Sequence, residues 1–208
     1  MTKIKICGIT NHEDAENAAD LGADFLGFNF YSKSPRYVDY DKFKDIIRQL
    51  KGKLGIVGIF VNETTDNVKK IAETCNLNLI QLSGDEDLEY VNALKNSMNG
   101  KNNKKIIKTF RIKNKLNPYL INSFNSDYVM IDSFREGIYG GTGKSLDLNI
   151  AKDIDNKRLF LAGGLNKGNV KMAIDKINPF AVDVCSGIES EPGKKDYNKM
   201  KKFIEAVK

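Results

Sequence analysis

No apolar run in this chain approaches the roughly 18 uninterrupted residues that a membrane-crossing helix requires, so no membrane association is expected. The opening residues lack the basic, apolar and small-residue succession of a secretory leader, and a strand pattern has begun by Lys3. A cytoplasmic location is therefore expected. Cysteine is scarce: Cys7, Cys75 and Cys185 are odd in number and far apart, which argues against a disulfide framework and against the close pairs of a zinc site. Histidine is scarcer still. The single residue, His12, falls in the first turn of a surface helix, where an exposed side chain is expected, and no third group accompanies it to make a Cys–His nucleophile. Linkers are missing as well, so one domain spanning residues 1–208 is expected.

The charge balance is +6, yet lysines are spread through almost every helical segment with acidic residues among them. That is a solvated surface rather than a nucleic-acid footprint. Only residues 96–105 are strongly polar and of low complexity, and they read as a loop between a helix and a strand.

What is present is a rhythm. Apolar runs recur at 4–7, 25–30, 54–61, 77–82, 106–110, 128–132, 159–162 and 181–184. Between them lie helical spacings: Phe43, Ile46, Ile47 and Leu50; Val68, Ile71, Ala72 and Cys75; Val170, Ala173, Ile174 and Ile177; then Tyr197, Met200, Ile204 and Val207. Weaker patterns surround Val91 and Leu94, Leu120 and Phe124, and Ile150 and Ile154. Cys75 sits on such a core stripe and reads as an inert small hydrophobe. Strands too apolar to have a wet face, alternating with helices eight times, indicate a parallel sheet closed into a single-domain α/β (β/α)8 TIM barrel. An open doubly wound sheet is the alternative, disfavoured because no Gly-rich dinucleotide fingerprint follows the first strand of either half.

In such a barrel the chemistry gathers where strands end. The most informative stretch is KICGIT at 5–10, which sets a thiol, Cys7, at the end of the first strand, with Lys5 on the same face two residues earlier. Thr10 with Glu13 reads as a capping box for the helix that follows, and Gly22 as its stop. Further along, the strand ends supply Arg36 after Pro35, Asn62, Gln81 with Ser83, Arg111, Asp132 and Asp183. Asp132 closes an apolar run, and a carboxyl buried there has its pKa raised toward that of a general acid. Together with Cys7 it makes an acid and a base on one rim. Arg36 offers a planar fork for a carboxylate.

Glycines cluster late: Gly140-Gly141-Thr142-Gly143, Gly163-Gly164, and Ser186-Gly187. Loops after the seventh and eighth strands of a barrel commonly hold phosphate, so a phosphorylated small-molecule ligand is expected. Gly143-Lys144-Ser145 is not a nucleotide-binding P-loop, because Ile138 stands where that motif needs glycine.

Taken in order, KICGIT, SPR, VGIFVN, QLSGDE, GGTG, LAGGLN and DVCSGIESEPGKKD resemble the phosphoribosylanthranilate isomerase family of tryptophan biosynthesis. The resemblance spans the chain. It implies a (β/α)8 barrel without cofactor or metal, acting as a monomer or homodimer, that catalyses the Amadori rearrangement of N-(5-phosphoribosyl)anthranilate to a 1-deoxyribulose 5-phosphate. By the same resemblance Cys7 is the general base, Asp132 the general acid and Arg36 the contact for the substrate carboxylate. Gly141, Gly143, Gly163, Gly164, Ser186 and Gly187 line the substrate, and Asp183 either orients it or pairs with an inward lysine. Ser83 stands where the family usually has histidine, and Cys185 where serine or asparagine is more usual. Two alternatives remain: the related aminoaldose isomerase of histidine biosynthesis, expected to carry aspartate at position 7, and a phosphate-ligand or nucleic-acid binding barrel in which the rim loops hold an anion and Cys7 is packing.

Overall fold

The computed structural model describes residues 1–48, 50, 54–98, 104–111, 117–132 and 154–208. All eight apolar runs are strands: β1 (Lys3–Cys7), β2 (Phe25–Asn29), β3 (Gly55–Phe60), β4 (Leu79–Leu82), β5 (Lys105–Arg111), β6 (Tyr128–Asp132), β7 (Leu159–Ala162) and β8 (Ala181–Val184). Each pairs in parallel with the next, and β8 returns to β1, so the sheet closes and the open doubly wound alternative is excluded. Seven α-helices cover it among the described residues: α1 (His12–Leu21), α2 (Tyr40–Arg48), α3 (Thr65–Thr74), α4 (Leu88–Ser97), α5 (Pro118–Ser123), α6 (Val170–Ile177) and α7 (Tyr197–Val207). No helix of the described residues is long and apolar enough to cross a membrane.

The period of two along each strand divides the apolar residues into two cores. One is the sleeve between sheet and helices, with Ile4, Ile6, Leu26, Phe28, Ile80, Ile106, Val129, Ile131 and Val182 facing helix residues such as Ala15, Phe43, Val68, Val91, Ala173 and Phe203. The other fills the barrel: Val57, Leu79, Ile107, Met130, Phe160, Ala162 and Ala181, packed against Phe25, Tyr128 and Phe180. Rings of Tyr128 and Phe180 stack with centroids 4.8 Å apart, and Phe25 and Phe160 approach to 5.6 Å. These aromatics close the end of the barrel where strands begin, which leaves the strand ends as the open mouth.

Two local expectations differ from the structure, and one element is new. The cap of α1 is Asn11, whose side-chain oxygen accepts from the Asp14 amide at 2.8 Å. Thr10 is diverted because its hydroxyl donates to the carbonyl of Gly193, far along the chain. His12 is half-buried rather than exposed, with Nδ1 3.1 Å from the Ile46 carbonyl at the end of α2. Beyond β8 the chain adds a 3₁₀ turn (Ser186–Ile188) and a short antiparallel hairpin, β9 (Glu189–Glu191) with β10 (Lys194–Lys195), which the apolar rhythm did not announce. Gly22 closes α1 in the left-handed conformation, as expected. Ile150 and residues 99–103 of the expected polar loop lie outside the described residues.

Candidate active site

Lys5 is turned into the barrel, wholly buried, and its Nζ lies 2.5 Å from Asp183 Oδ1. An isolated charge could not be held there, so each member requires the other. Asp183 thus has the inward lysine partner that was one of its two expected roles. Burial by itself would lower the Lys5 pKa, but Asp183 and then Cys7 outweigh it and raise it, so the ammonium is permanent.

One layer above, at the ends of β1 and β8, stand Cys7 and Cys185, both reduced and partly exposed. The neighbouring Cys185 side chain is the largest influence on Cys7 and brings it down from 9.0 to about 7. Burial and the Asp183 charge oppose that shift, while Lys5 and Lys195 assist it. Cys185 moves the other way, well above its ordinary value, because it bonds to Cys7 and is buried. Cys185 is therefore the S–H donor and Cys7 the group that becomes a thiolate.

The hairpin after β8 supplies a second layer of support. Lys195, whose side chain is shut off from water, donates to the Cys7 carbonyl at 2.6 Å and to Glu189 Oε1 at 2.9 Å, and stands 3.7 Å from Cys185 Sγ. Glu189 in turn grips Arg36, with Nε to Oε1 at 2.8 Å and Nη2 to Oε2 at 2.6 Å. Although burial opposes it, the Arg36 bond and Lys195 hold the Glu189 carboxyl down to about 2. The Arg36 fork is thus fixed by one edge, and its Nη1–Nη2 edge is the one left to meet a ligand. Gly8 makes this crowding possible. Its φ is +72°, and a Cβ there would stand 2.6 Å from Arg36 Cδ and 3.0 Å from Cys185 Sγ.

Asp132 ends β6, paired in register with Arg111 on β5 and Ala162 on β7. Burial first, and the Asp183 charge second, raise its pKa, against the pull of Arg111 and Lys5. The mouth therefore contains one acid pushed up and one thiol pushed down. Between them on the wall, Gln81 Nε2 donates to Ser83 Oγ at 3.0 Å, and Ser83 Oγ lies 3.2 Å from the Thr109 hydroxyl. Arg111 Nη2 bonds the Ser83 carbonyl at 2.8 Å, so the segment that carries serine here is anchored through its backbone. On the same rim the loops after β2 and β3 enclose a cleft of about 230 Å³ lined by Phe30, Tyr31, Phe60 and Asn62.

Of the glycine loops, Gly163 and Gly164 follow β7 with φ of +91° and +64°, and a Cβ on Gly164 would meet nothing within 4 Å. Gly187 follows β8 and packs directly on the Leu165 carbonyl, so the two loops touch where any side chain would collide. Ser186 begins the turn beside it. Gly141 and Gly143 lie outside the described residues. Cys75 is buried after α3, and burial pushes its thiol up to about 11, as suits an inert residue. Among the described residues no three His, Cys, Asp or Glu side chains are grouped to hold a metal.

Sequence reading missed Glu189 and Lys195 as parts of this mouth. The available signal was the Pro192-Gly193 turn pair with opposite charges on either side, a hairpin cue too short to register among apolar runs.

Comparison with known proteins adds independent findings. The chain matches, over residues 4–206, the family model described as N-(5'phosphoribosyl)anthranilate (PRA) isomerase. An N-(5'-phosphoribosyl)anthranilate isomerase from Trichlorobacter lovleyi is 40% identical over 210 residues, covering 100% of this chain and 98% of that protein. The crystal structure of phosphoribosyl anthranilate isomerase from Thermotoga maritima superposes with a TM-score of 0.85 at 36% identity, covering 100% of this chain and 98% of that one. A further structure of such an isomerase, in complex with reduced 1-(o-carboxyphenylamino)-1-deoxyribulose 5-phosphate, gives 0.82 at 36% identity with the same coverage.

Proposed function

Because this chain belongs to the N-(5'-phosphoribosyl)anthranilate isomerase family, we propose that its barrel is a single catalytic domain over residues 1–208 in which Cys7 is the general base and Asp132 the general acid. The reaction is the Amadori rearrangement of N-(5-phosphoribosyl)anthranilate to 1-(2-carboxyphenylamino)-1-deoxyribulose 5-phosphate, a step of tryptophan biosynthesis. The observation that carries the assignment is the opposition of the two groups. On one mouth, burial pushes a carboxyl toward holding its proton, and a neighbour pushes a thiol toward losing one.

Asp132 protonates the furanose ring oxygen, the C1–O bond breaks, and the ring opens to a Schiff base. The Cys7 thiolate then removes the proton on C2, and the positive nitrogen receives the electron pair. The resulting enolamine tautomerises to the ketone. Each proton transfer contributes roughly 10²- to 10⁴-fold. Lys5 and Asp183 act from below: Lys5 favours the thiolate of Cys7, and Asp183 favours the protonated form of Asp132.

Arg36 meets the anthranilate carboxylate with the edge that Glu189 leaves uncovered. The phosphate lies against Gly163, Gly164, Ser186 and Gly187, where loop backbone approaches closely and the Gly164 surface is open. Gly141 and Gly143 belong to the same ligand shell by the sequence pattern. The enzyme works in the cytoplasm on a phosphorylated small molecule, as a monomer or a homodimer.

Supplying phosphoribosylanthranilate and following the loss of its anthranilate-type fluorescence tests the reading. Turnover by the intact chain is expected, with large losses of kcat in Cys7→Ala and Asp132→Asn. Full turnover by Cys7→Ala defeats the assignment of the base.

A further inference from the structure

We propose that Cys7 and Cys185 form an oxidative modification site, a dithiol that a hydroperoxide converts to an intramolecular disulfide, switching the isomerase off until a thiol reductant restores it. The chemistry of the site stands on geometry. Its effect on activity rests on the reading of Cys7 as the base.

Strands β1 and β8 are hydrogen-bonded neighbours whose register pairs Lys5 with Asp183 and Ile6 with Val184. The next step along both chains brings Cys7 beside Cys185. Adjacent strands lie about 4.8 Å apart, inside the roughly 4.4–6.8 Å between Cα atoms that a disulfide spans. The Cys185 sulfur reaches across to β1, where a Cβ on Gly8, the residue after Cys7, would stand 3.0 Å from it. Gly8, with no Cβ, leaves the space that the Cys185 sulfur occupies. Both residues are partly exposed at the mouth, the side from which a small peroxide arrives.

The electrostatics set an order of events. Cys7 carries the thiolate and is the attacking sulfur. It breaks the O–O bond of the hydroperoxide, forms an S–O bond and becomes a sulfenic acid, while the departing alkoxide takes a proton and leaves as alcohol. Cys185 is held protonated by its bond to Cys7 and by the Cys7 charge, and both restraints vanish once Cys7 is neutral and oxidised. Lys195, 3.7 Å from Cys185 Sγ, and Arg36 then favour its thiolate. That sulfur attacks Cys7, the S–S bond forms, the S–O bond breaks, and hydroxide departs with the proton from Cys185 as water. Two thiols lose two electrons and two protons, and the hydroperoxide accepts them. The disulfide leaves no thiolate to take the C2 proton.

Fully reduced protein treated with hydrogen peroxide is read by intact mass, by peptide mapping and by isomerase rate, before and after dithiothreitol. The expected result is a mass lower by two hydrogens, a Cys7 peptide linked to a Cys185 peptide, and a rate lowered by about 100-fold or more, all reversed by dithiothreitol. In Cys185→Ser and Cys185→Ala, each compared with its own reduced rate, Cys7 gains oxygen as sulfinic acid and dithiothreitol no longer restores activity. Cys75→Ser behaves as the unsubstituted protein. Absence of the linked peptide overturns the proposal, as does recovery of the Cys185 variants as complete as that of the parent. A linked peptide with undiminished turnover overturns the role of Cys7 as base and the switch with it.

Discussion

Lys5 on β1 and Asp183 on β8 meet across the seam that closes the barrel, 2.5 Å from nitrogen to oxygen and shielded from water. The pair acts on both reacting groups above it. Lys5→Met leaves the Asp183 carboxylate buried and alone, a loss of about 3–5 kcal/mol in stability. The Cys7 pKa rises as well, because the cation that lowered it has gone and the anion that raised it stays. Urea unfolding and the pH dependence of Cys7 alkylation measure the two effects. An alkylation midpoint unmoved in Lys5→Met removes Lys5 from the account of the thiolate.

Cys185→Ala deletes the S–H donor that contributes most to lowering Cys7. The alkylation midpoint moves from about 7 toward the ordinary 9.0. At pH 7 the thiolate fraction then drops roughly 50-fold at the full shift, and turnover drops with it. Raising the pH through the new midpoint restores thiolate, so the loss narrows on the alkaline side. A loss that is the same at every pH speaks against thiolate supply as its cause.

Glu189→Gln releases the grip on Arg36, so KM for phosphoribosylanthranilate rises by about 10-fold while kcat changes little. The same variant reports on acid stability. The Glu189 carboxyl falls from 4.5 to about 2 in the folded chain, so its contribution is fully present above pH 4.5 and is lost as pH drops toward 2. The stability difference between parent and variant is therefore constant near neutrality and shrinks below pH 4.5. Thermal unfolding at a series of pH values checks it.

Gly8→Ala imposes a side chain on a left-handed backbone and drives it into Arg36 Cδ and Cys185 Sγ. A cost of about 1–3 kcal/mol follows from the backbone alone. The displaced Arg36 raises KM further. Steady-state kinetics beside a melting curve separate the two, and a variant that melts low yet keeps the parent KM shows that Arg36 does not move.

The barrel was legible because parallel strands buried on both faces read as unbroken apolar runs, and all eight became strands within a residue or two of the expected ends. Cys7 and Asp132 were legible for a related reason, each being the polar residue at which such a run stops. The cap of α1 was not. Thr10 and Asn11 are both good caps, and the Gly193 carbonyl that claims the Thr10 hydroxyl is 183 residues distant. Nor could one chain position say that Glu189 would bind Arg36 and Lys195 together, since ion pairs carry no periodicity and depend on loops meeting at the rim. The exposure expected for His12 failed similarly, because the carbonyl it meets ends a different helix.

The dependence of the mouth on the β8 seam and the hairpin behind it also has a consequence for synthesis on the ribosome. Every group that lowers Cys7, namely Cys185, Lys5 and Lys195, either lies in residues 185–195 or is held in the barrel by Asp183. Until β8 docks, Cys185 and Lys195 are missing from the mouth, and of the groups that lower Cys7 only Lys5 stands on its own strand. The largest influence on the Cys7 thiolate therefore arrives with the last strand to be synthesised.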